Sequence, residues 1–197
     1  MARRVLKGSA DDSQKNIDRL KFIVEEIRRL EDFLVEVGSF ASLSEAKKAF
    51  VNLNVLIQEM ALQLEASLQE KGIELSLNLD HQLPQVQFDP RHFRQVLLNI
   101  AKNSIEAMPT GGNLVFTSGY YDECVFVQIS DTGEGVPPTT LDKVFQPFFS
   151  TKTKGSGLGL AISKTIIEAH QGKIKVESIP HKGTQVTILL KAKSWNS

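Results

Sequence analysis

Hydrophobic positions recur in two different rhythms along this chain. Between residues 13 and 41, Leu20, Ile23, Ile27, Leu30, Leu34, Val37 and Ala41 follow one another at spacings of 3, 4, 3, 4, 3 and 4, with no proline and no glycine before Gly38. That period predicts one long helix carrying a coiled-coil seam. Val24, Phe33 and Phe40 widen the stripe, so packing against more than one neighbour is expected, as in a four-helix bundle. A long core helix of a single domain is the other reading. Upstream, residues 8–12 (Gly-Ser-Ala-Asp-Asp) read as a turn and residues 3–7 as the stub of a preceding helix.

After Ser42-Leu43-Ser44 the pattern breaks into shorter elements of mixed period, which places a domain boundary near residue 43 and separates a helical segment, 1–43, from an α+β domain, 44–197. The expected order is a short strand at 49–52, a helix at 53–70, a strand at 73–79 and a short strand at 86–88. A helix follows over 90–108, with Asp89 as cap and Pro90 at the first helical position. Gly111-Gly112 interrupts the chain. Residues 114–118 and 124–131 read as a hairpin about Tyr121-Asp122-Glu123, and a helix at 158–170 precedes strands at 174–177 and 184–190. The Gly/Pro/Thr-rich stretch 132–156 is too long for an ordinary connection and is expected to be a lid or mobile loop.

Composition narrows the function. At 197 residues with 41% hydrophobic and 23% charged residues, the chain is long enough to bury a core and is not of disordered type. Lys+Arg and Asp+Glu both number 23, so no overall positive field draws in nucleic acid or an anionic membrane, and any anion must be bound locally. Cys124 is the only cysteine, which excludes an internal disulfide and multi-cysteine metal sites. No apolar run approaches the roughly 18 residues of a membrane span. A cytoplasmic location without membrane contact is the expectation for this segment, whatever anchors a longer parent.

Four groups of residues carry candidate chemistry. Asn99 and Asn103 fall on one line of the helix that follows Asp89, beside an apolar face of Phe93, Val96, Leu97, Ile100 and Ser104. Asparagine disfavours helix interiors, so two on one line suit a phosphate or hydrated cation, with solvated helix polars as the plain alternative. Asp131, in Asp131-Thr-Gly133-Glu-Gly135, shares a strand face with Val125, Val127 and Ile129 and therefore aims a carboxylate into the apolar layer. It needs a donor, such as the exocyclic amine of adenine, unless it only caps the turn. Gly155-Ser156-Gly157-Leu158-Gly159-Leu160 opens a helix, where free N–H groups and the dipole favour phosphate; a hinge is the alternative. It is neither a Walker A loop nor the dinucleotide fingerprint. Finally, Phe145, Phe148 and Phe149 precede Ser-Thr-Lys152-Thr-Lys; the rings are expected to dock the lid, and Lys152 is placed to meet phosphate.

In this order the four groups resemble the asparagine, first glycine, phenylalanine and second glycine boxes of sensor histidine kinases, over about residues 44–192. That family shares a clan with type II topoisomerases, chaperone ATPases and mismatch-repair ATPases. The resemblance implies a two-layer α/β sandwich of Bergerat type preceded by a long helix of a dimerisation bundle. It implies ATP and Mg²⁺ as ligands, with Asn103 on the metal and Asn99 lining the same site. By the same likeness Asp131 accepts from the adenine amino group, Gly133 and Gly135 shape the purine pocket, and Thr184 supports it. Gly155, Ser156, Gly157 and Gly159 wrap the phosphates while Leu158 and Leu160 anchor the lid. The implied partners are a response-regulator receiver domain and a second copy of the chain.

The helix at 13–41 resembles the second helix of the family's phosphotransfer hairpin, but no histidine precedes His81. His81, His92, His170 and His181 read as surface or capping residues. The expectation is therefore a catalytic segment starting downstream of the acceptor, binding ATP without phosphorylating itself by the family's route. Hydrolases of the clan carry glutamate four residues before the metal-binding asparagine. Asn99 stands there, and an amide cannot take a proton from water. Phosphoryl transfer to histidine is the leading reading; an ATP hydrolase of the same clan and a non-catalytic ATP-binding dimerisation adaptor are the rivals.

Overall fold

The computed structural model describes residues 15–17, 19–20, 22–24, 26–27, 38, 47–150 and 155–192. The chain divides into two compact units, Met1–Gly38 and Ser39–Ser197. In the first, every described residue is helical, and Leu20, Ile23, Val24 and Ile27 of the apolar stripe are exposed. The rest of that seam, with the turn and helical stub ahead of it, lies outside the described residues.

The second unit is an α+β sandwich of two layers. Its elements are β1 (Ala49–Val51), α1 (Leu53–Glu70), β2 (Ile73–Leu79), β3 (Val86–Phe88), α2 (Pro90–Glu106), β4 (Gly112–Tyr121), β5 (Cys124–Asp131), α3 (Pro138–Leu141), α4 (Gly159–Ala169), β6 (Lys173–Ile179) and β7 (Gly183–Lys191). The main sheet runs in the order β2-β4-β5-β7-β6, while β1 and β3 form a separate antiparallel pair. Only β2 and β4 are parallel, in register from Ile73 opposite Gly112 to Leu79 opposite Ser118. That register explains why β4 begins at Gly112, earlier than its apolar alternation predicts. At the other end, Asp122 and Glu123 both have positive φ and close a two-residue hairpin with Tyr121 opposite Cys124.

Alternation decides which face of the sheet is dry. Leu114 and Phe116 on β4, Val125, Val127 and Ile129 on β5, and Ile188 on β7 are all at most 1% exposed and meet the three longer helices in one core. Helix α1 contributes Leu53, Leu56, Ile57, Met60, Leu64 and Leu68 at helical spacing, and Asn52 caps it by accepting from Asn54 N at 3.0 Å. Helix α2 lies between α1 and α4 and packs on β5. Its cap is Asp89, whose Oδ1 accepts from Arg91 N at 2.9 Å, an interaction of about 1 kcal/mol.

Asp89 also fastens the far end of α4. It is fully buried; its Oδ2 accepts from Lys47 N at 2.8 Å and from Arg91 Nη2 at 2.8 Å. Its own N–H donates to His170 Nε2 at 3.3 Å, while His170 Nδ1 donates to Ile166 O at 2.8 Å. The imidazole is thus read as neutral, stacked on Phe88 at 3.7 Å between centroids. Burial pushes the Asp89 carboxyl up, but the Arg91 side chain and the N–H groups of Lys47 and Arg91 outweigh it and hold it well below the usual carboxylate range. Burial pushes His170 below the usual histidine range, with the Ile166 hydrogen bond acting against it. None of the described helices is long and apolar enough to cross a membrane.

Candidate functional site

Asp131 ends β5 on its buried face and is 8% exposed. Three protein donors converge on it. Ser104 Oγ donates to Oδ2 at 2.7 Å, and the backbone N–H groups of Gly133 and Thr184 donate to Oδ1 at 3.0 and 3.1 Å. The donor this carboxylate needs is thus supplied from within the chain, and the bond from Gly133 N is the turn cap that stood as the alternative to an adenine amine. A carboxylate offers about four acceptor positions, so three bonds leave about one for a ligand. Ser104 was legible in the sequence only as a polar break in the apolar stripe of α2, with no role attached to it.

The turn after Asp131 is tied down on both sides. Glu134 N donates to Ala107 O at 3.0 Å, and a Cβ on Gly133 would stand 2.6 Å from that carbonyl. Gly135 has positive φ and lies against the Ile179 carbonyl. Val136 N donates to Ser178 Oγ at 2.8 Å, and Ser178 in turn donates to Gly183 O at 2.9 Å and shares a hydrogen bond with Thr184 Oγ1 at 2.9 Å. Gly183 is irreplaceable for reasons of space: a Cβ there would overlap the Asp131 carbonyl.

Helix α2 carries Ser104, the partner of Asp131, and the two asparagines, with Asn99 and Ser104 about 7.5 Å apart along the axis. Asn103 and Asn99 are both half-buried. Asn99 Nδ2 donates to Gly159 O at 3.1 Å and reaches Ser163 Oγ at 3.5 Å, so α2 is fastened to the first turn of α4. Gly155 and Ser156 are exposed, Leu158 is buried, and Gly159 and Leu160 start α4 with no side-chain cap. The N–H groups of this first turn have no intrahelical acceptors. Gly157 has φ +69, and a Cβ on it would stand 2.6 to 2.8 Å from the backbone of Phe148 and Phe149.

The phenylalanines divide. Phe145 is half-buried with Lys164 Nζ 5.5 Å from its centroid, and Phe149 is half-buried. Phe148 is 75% exposed at φ +65, against the expectation that all three rings dock: the left-handed backbone turns this ring outward. The short helix α3 in this stretch was not expected from the sequence. Lys152 lies outside the described residues. Of the histidines, His92 and His170 are buried, and His81 and His181 sit in turns.

Residues 88–194 match the family described as histidine kinase-, DNA gyrase B-, and HSP90-like ATPase, and the chain belongs to that family. Within the family, its catalytic domain is of the histidine kinase type. Sporulation kinase A of Bacillus subtilis (strain 168) is 36% identical over 186 residues, which is 94% of this chain and 30% of that protein. The structure of full-length ShkA in complex with AMPPNP aligns at a TM-score of 0.74 and 29% identity, covering 84% of this chain and 36% of ShkA. Histidine kinase ThkA in complex with response regulator protein TrrA aligns at 0.71 and 29% identity, covering 87% of this chain and 50% of ThkA. The chain spans about a third of the length of the curated relatives it matches.

Proposed function

We propose that this chain binds ATP with Mg²⁺ and transfers the γ-phosphoryl group to a histidine outside its 197 residues, for relay to an aspartate of a response-regulator receiver domain. The observation that carries this reading is the Asp131 carboxylate, buried, held by three protein donors and left with about one acceptor position. An exocyclic amine of adenine matches that position, and Gly133, Gly135 and Thr184 flank it. From there α2 leads to Asn103 and Asn99, and the Gly155 to Leu160 segment opens α4, whose first-turn N–H groups lack intrahelical acceptors and suit phosphate. Lys152 is proposed as a further phosphate contact.

The metal fits the donor set. Among the described residues no cluster of three His, Cys, Asp or Glu could hold an ion alone. The amide oxygen of Asn103 suits a hard cation that arrives with phosphate and keeps several waters, as magnesium does. Asn103 would hold magnesium there, and the ion would supply neutralisation of the charge that develops on the phosphates during transfer. Asn99 cannot act as base toward water, which favours transfer over hydrolysis.

An acceptor outside the chain is supported by the four histidines: two are buried and two lie in turns. A homodimer is supported by the helical stripe, where Leu20 and Ile23 stand 61% and 51% exposed in the single chain. The proposed division is a dimerisation segment over 1–43 and a catalytic domain over 44–197, working in the cytoplasm where ATP is supplied.

The experiment is to mix the chain with labelled ATP, Mg²⁺ and a helical hairpin bearing an acceptor histidine. Acid-labile label on that histidine is expected; steady ADP release with no labelled histidine would favour the hydrolase, and a nucleotide-dependent rise in melting temperature with neither label nor ADP release would favour the adaptor.

A further inference from the structure

We propose that Ser163 is a positioning residue for Asn99, setting which end of its carboxamide faces the phosphate and metal end of the site. This rests on the reading of the site given above. Ser163 is fully buried on α4 and belongs to none of the four boxes. Its hydroxyl has one proton, donated to Gly159 O at 2.8 Å. Toward Asn99 Nδ2, 3.5 Å away, the hydroxyl can therefore act only as an acceptor. The same Nδ2 donates to Gly159 O at 3.1 Å.

Gly159 O, Ser163 Oγ and Asn99 Nδ2 thus close a three-membered ring in which every proton has one assignment. Turning the carboxamide over would set Oδ1 against the Gly159 carbonyl, an acceptor contact with no donor, and the Ser163 hydroxyl could donate to Oδ1 only by giving up its bond to Gly159 O. The ring therefore fixes the amide nitrogen toward α4 and turns Oδ1 away from the Gly159 carbonyl, as an acceptor-only group. Oxygen is the end that a hydrated cation can use.

The ring also joins α2 to the residue at which the glycine-rich segment becomes helix. Any shift of the Gly155 to Gly159 backbone on nucleotide binding moves the carbonyl that Asn99 holds. Ser163 then keeps a second acceptor beside Asn99 while the first one moves. Helix α4 holds its own control. Thr165 Oγ1 makes the same i−4 bond, to Ala161 O at 3.0 Å, but is not bonded to Asn99.

The test compares affinity for a magnesium–ATP analogue with affinity for ADP in EDTA. Ser163→Ala is expected to weaken the first about tenfold and to leave the second within about twofold. Ser163→Thr, which keeps the hydroxyl, restores most of the loss. Ser163→Cys fills the same volume with a poor acceptor and reproduces the loss, covering the case in which alanine packs badly. Thr165→Ala leaves both affinities unchanged, and Asn99→Ala combined with Ser163→Ala binds no more weakly than Asn99→Ala alone. Equal losses for both ligands, an equal loss in Thr165→Ala, or additivity with Asn99→Ala would make Ser163 a purely structural residue and overturn the proposal. Normal binding by the unsubstituted chain with an unaffected Ser163→Ala overturns this proposal alone, whereas no binding by the unsubstituted chain overturns the reading of the site as well.

Discussion

The two ends of the candidate site are built in opposite ways. At the proposed purine end, Asp131 is fixed by sheet register and by bonds from α2, from its own turn and from the start of β7. At the proposed phosphate end, a glycine-rich segment crosses the surface, Ser156 is exposed and Phe148 turns its ring into solvent. A binding cradle on a sheet is preformed and costs little to organise when ligand arrives. A loop that must close can be drawn only from the less stable part of a fold. The difference teaches that the Asp131 end is preformed and the glycine-rich end is not, so under the proposed function base recognition and closure over the phosphates are separable, and substitutions should split them.

The largest effect is expected at the purine end. Asp131→Asn puts an amide where three donors converge, so at least one N–H or O–H loses its acceptor. A destabilisation of about 1–3 kcal/mol is expected by urea titration, together with loss of the ATP-dependent rise in melting temperature. An unchanged rise would break the assignment of the base to this carboxylate.

Phe148→Gly should act in the reverse direction on the two ends. The substitution relieves a left-handed backbone on a bulky residue, an effect of about 1 kcal/mol, so the ligand-free protein is expected to melt slightly higher. ATP should protect residues 132–156 from proteolysis less well than in the unsubstituted chain. Equal protection would remove Phe148 from closure and sharpen the contrast to the glycines alone.

A third effect comes from outside both ends, the buried junction of Asp89 at the start of α2 with His170 at the end of α4. His170 is held below the usual histidine range, so the unfolded chain binds the extra proton more readily. The contribution of this group is fully present above about pH 6.5 and declines as pH falls below that value. Asp89 is depressed too; its contribution is intact above about pH 4 and is lost as pH falls further. Urea midpoints should therefore drop between pH 7.5 and 5.5, and His170→Gln, which cannot titrate, should flatten that drop. An equal slope in both proteins would place the acid-sensitive group elsewhere.

The smallest effect is remote from either end. Glu123 occupies a positive-φ hairpin position, and Glu123→Gly should raise the melting temperature by an amount corresponding to about 0.5–1 kcal/mol without altering nucleotide affinity. A change in affinity would mean that the hairpin and the site are coupled through β5.

How much could be read in advance follows from the range of each interaction. The direction of Asp131 was legible because period-2 alternation is local, and the helix over Pro90–Glu106 was legible from its cap and its apolar face. The true ends of β4 were not, since they depend on pairing with β2 some 39 residues away, Ile73 against Gly112. Helix α3, four residues long, has no room for a period. The partners of Asp131 beyond its own turn, Ser104 and Thr184, come from 27 and 53 residues away, and nothing in the spacing of a lone serine announces that it will meet a carboxylate. Ser163 was hidden in the same way, as one more small residue on an apolar helix.

Strand β5 starts at Cys124 and finishes at Asp131, a run of about 23 Å in extended chain. Cys124, the sole cysteine, gives the protein one half-buried thiol at the opposite end of the strand from Asp131, the group proposed to meet the base. A dye attached there would sit at an energy-transfer distance from a fluorescent nucleotide, turning the sheet itself into a calibrated ruler for occupancy that needs no engineered label site.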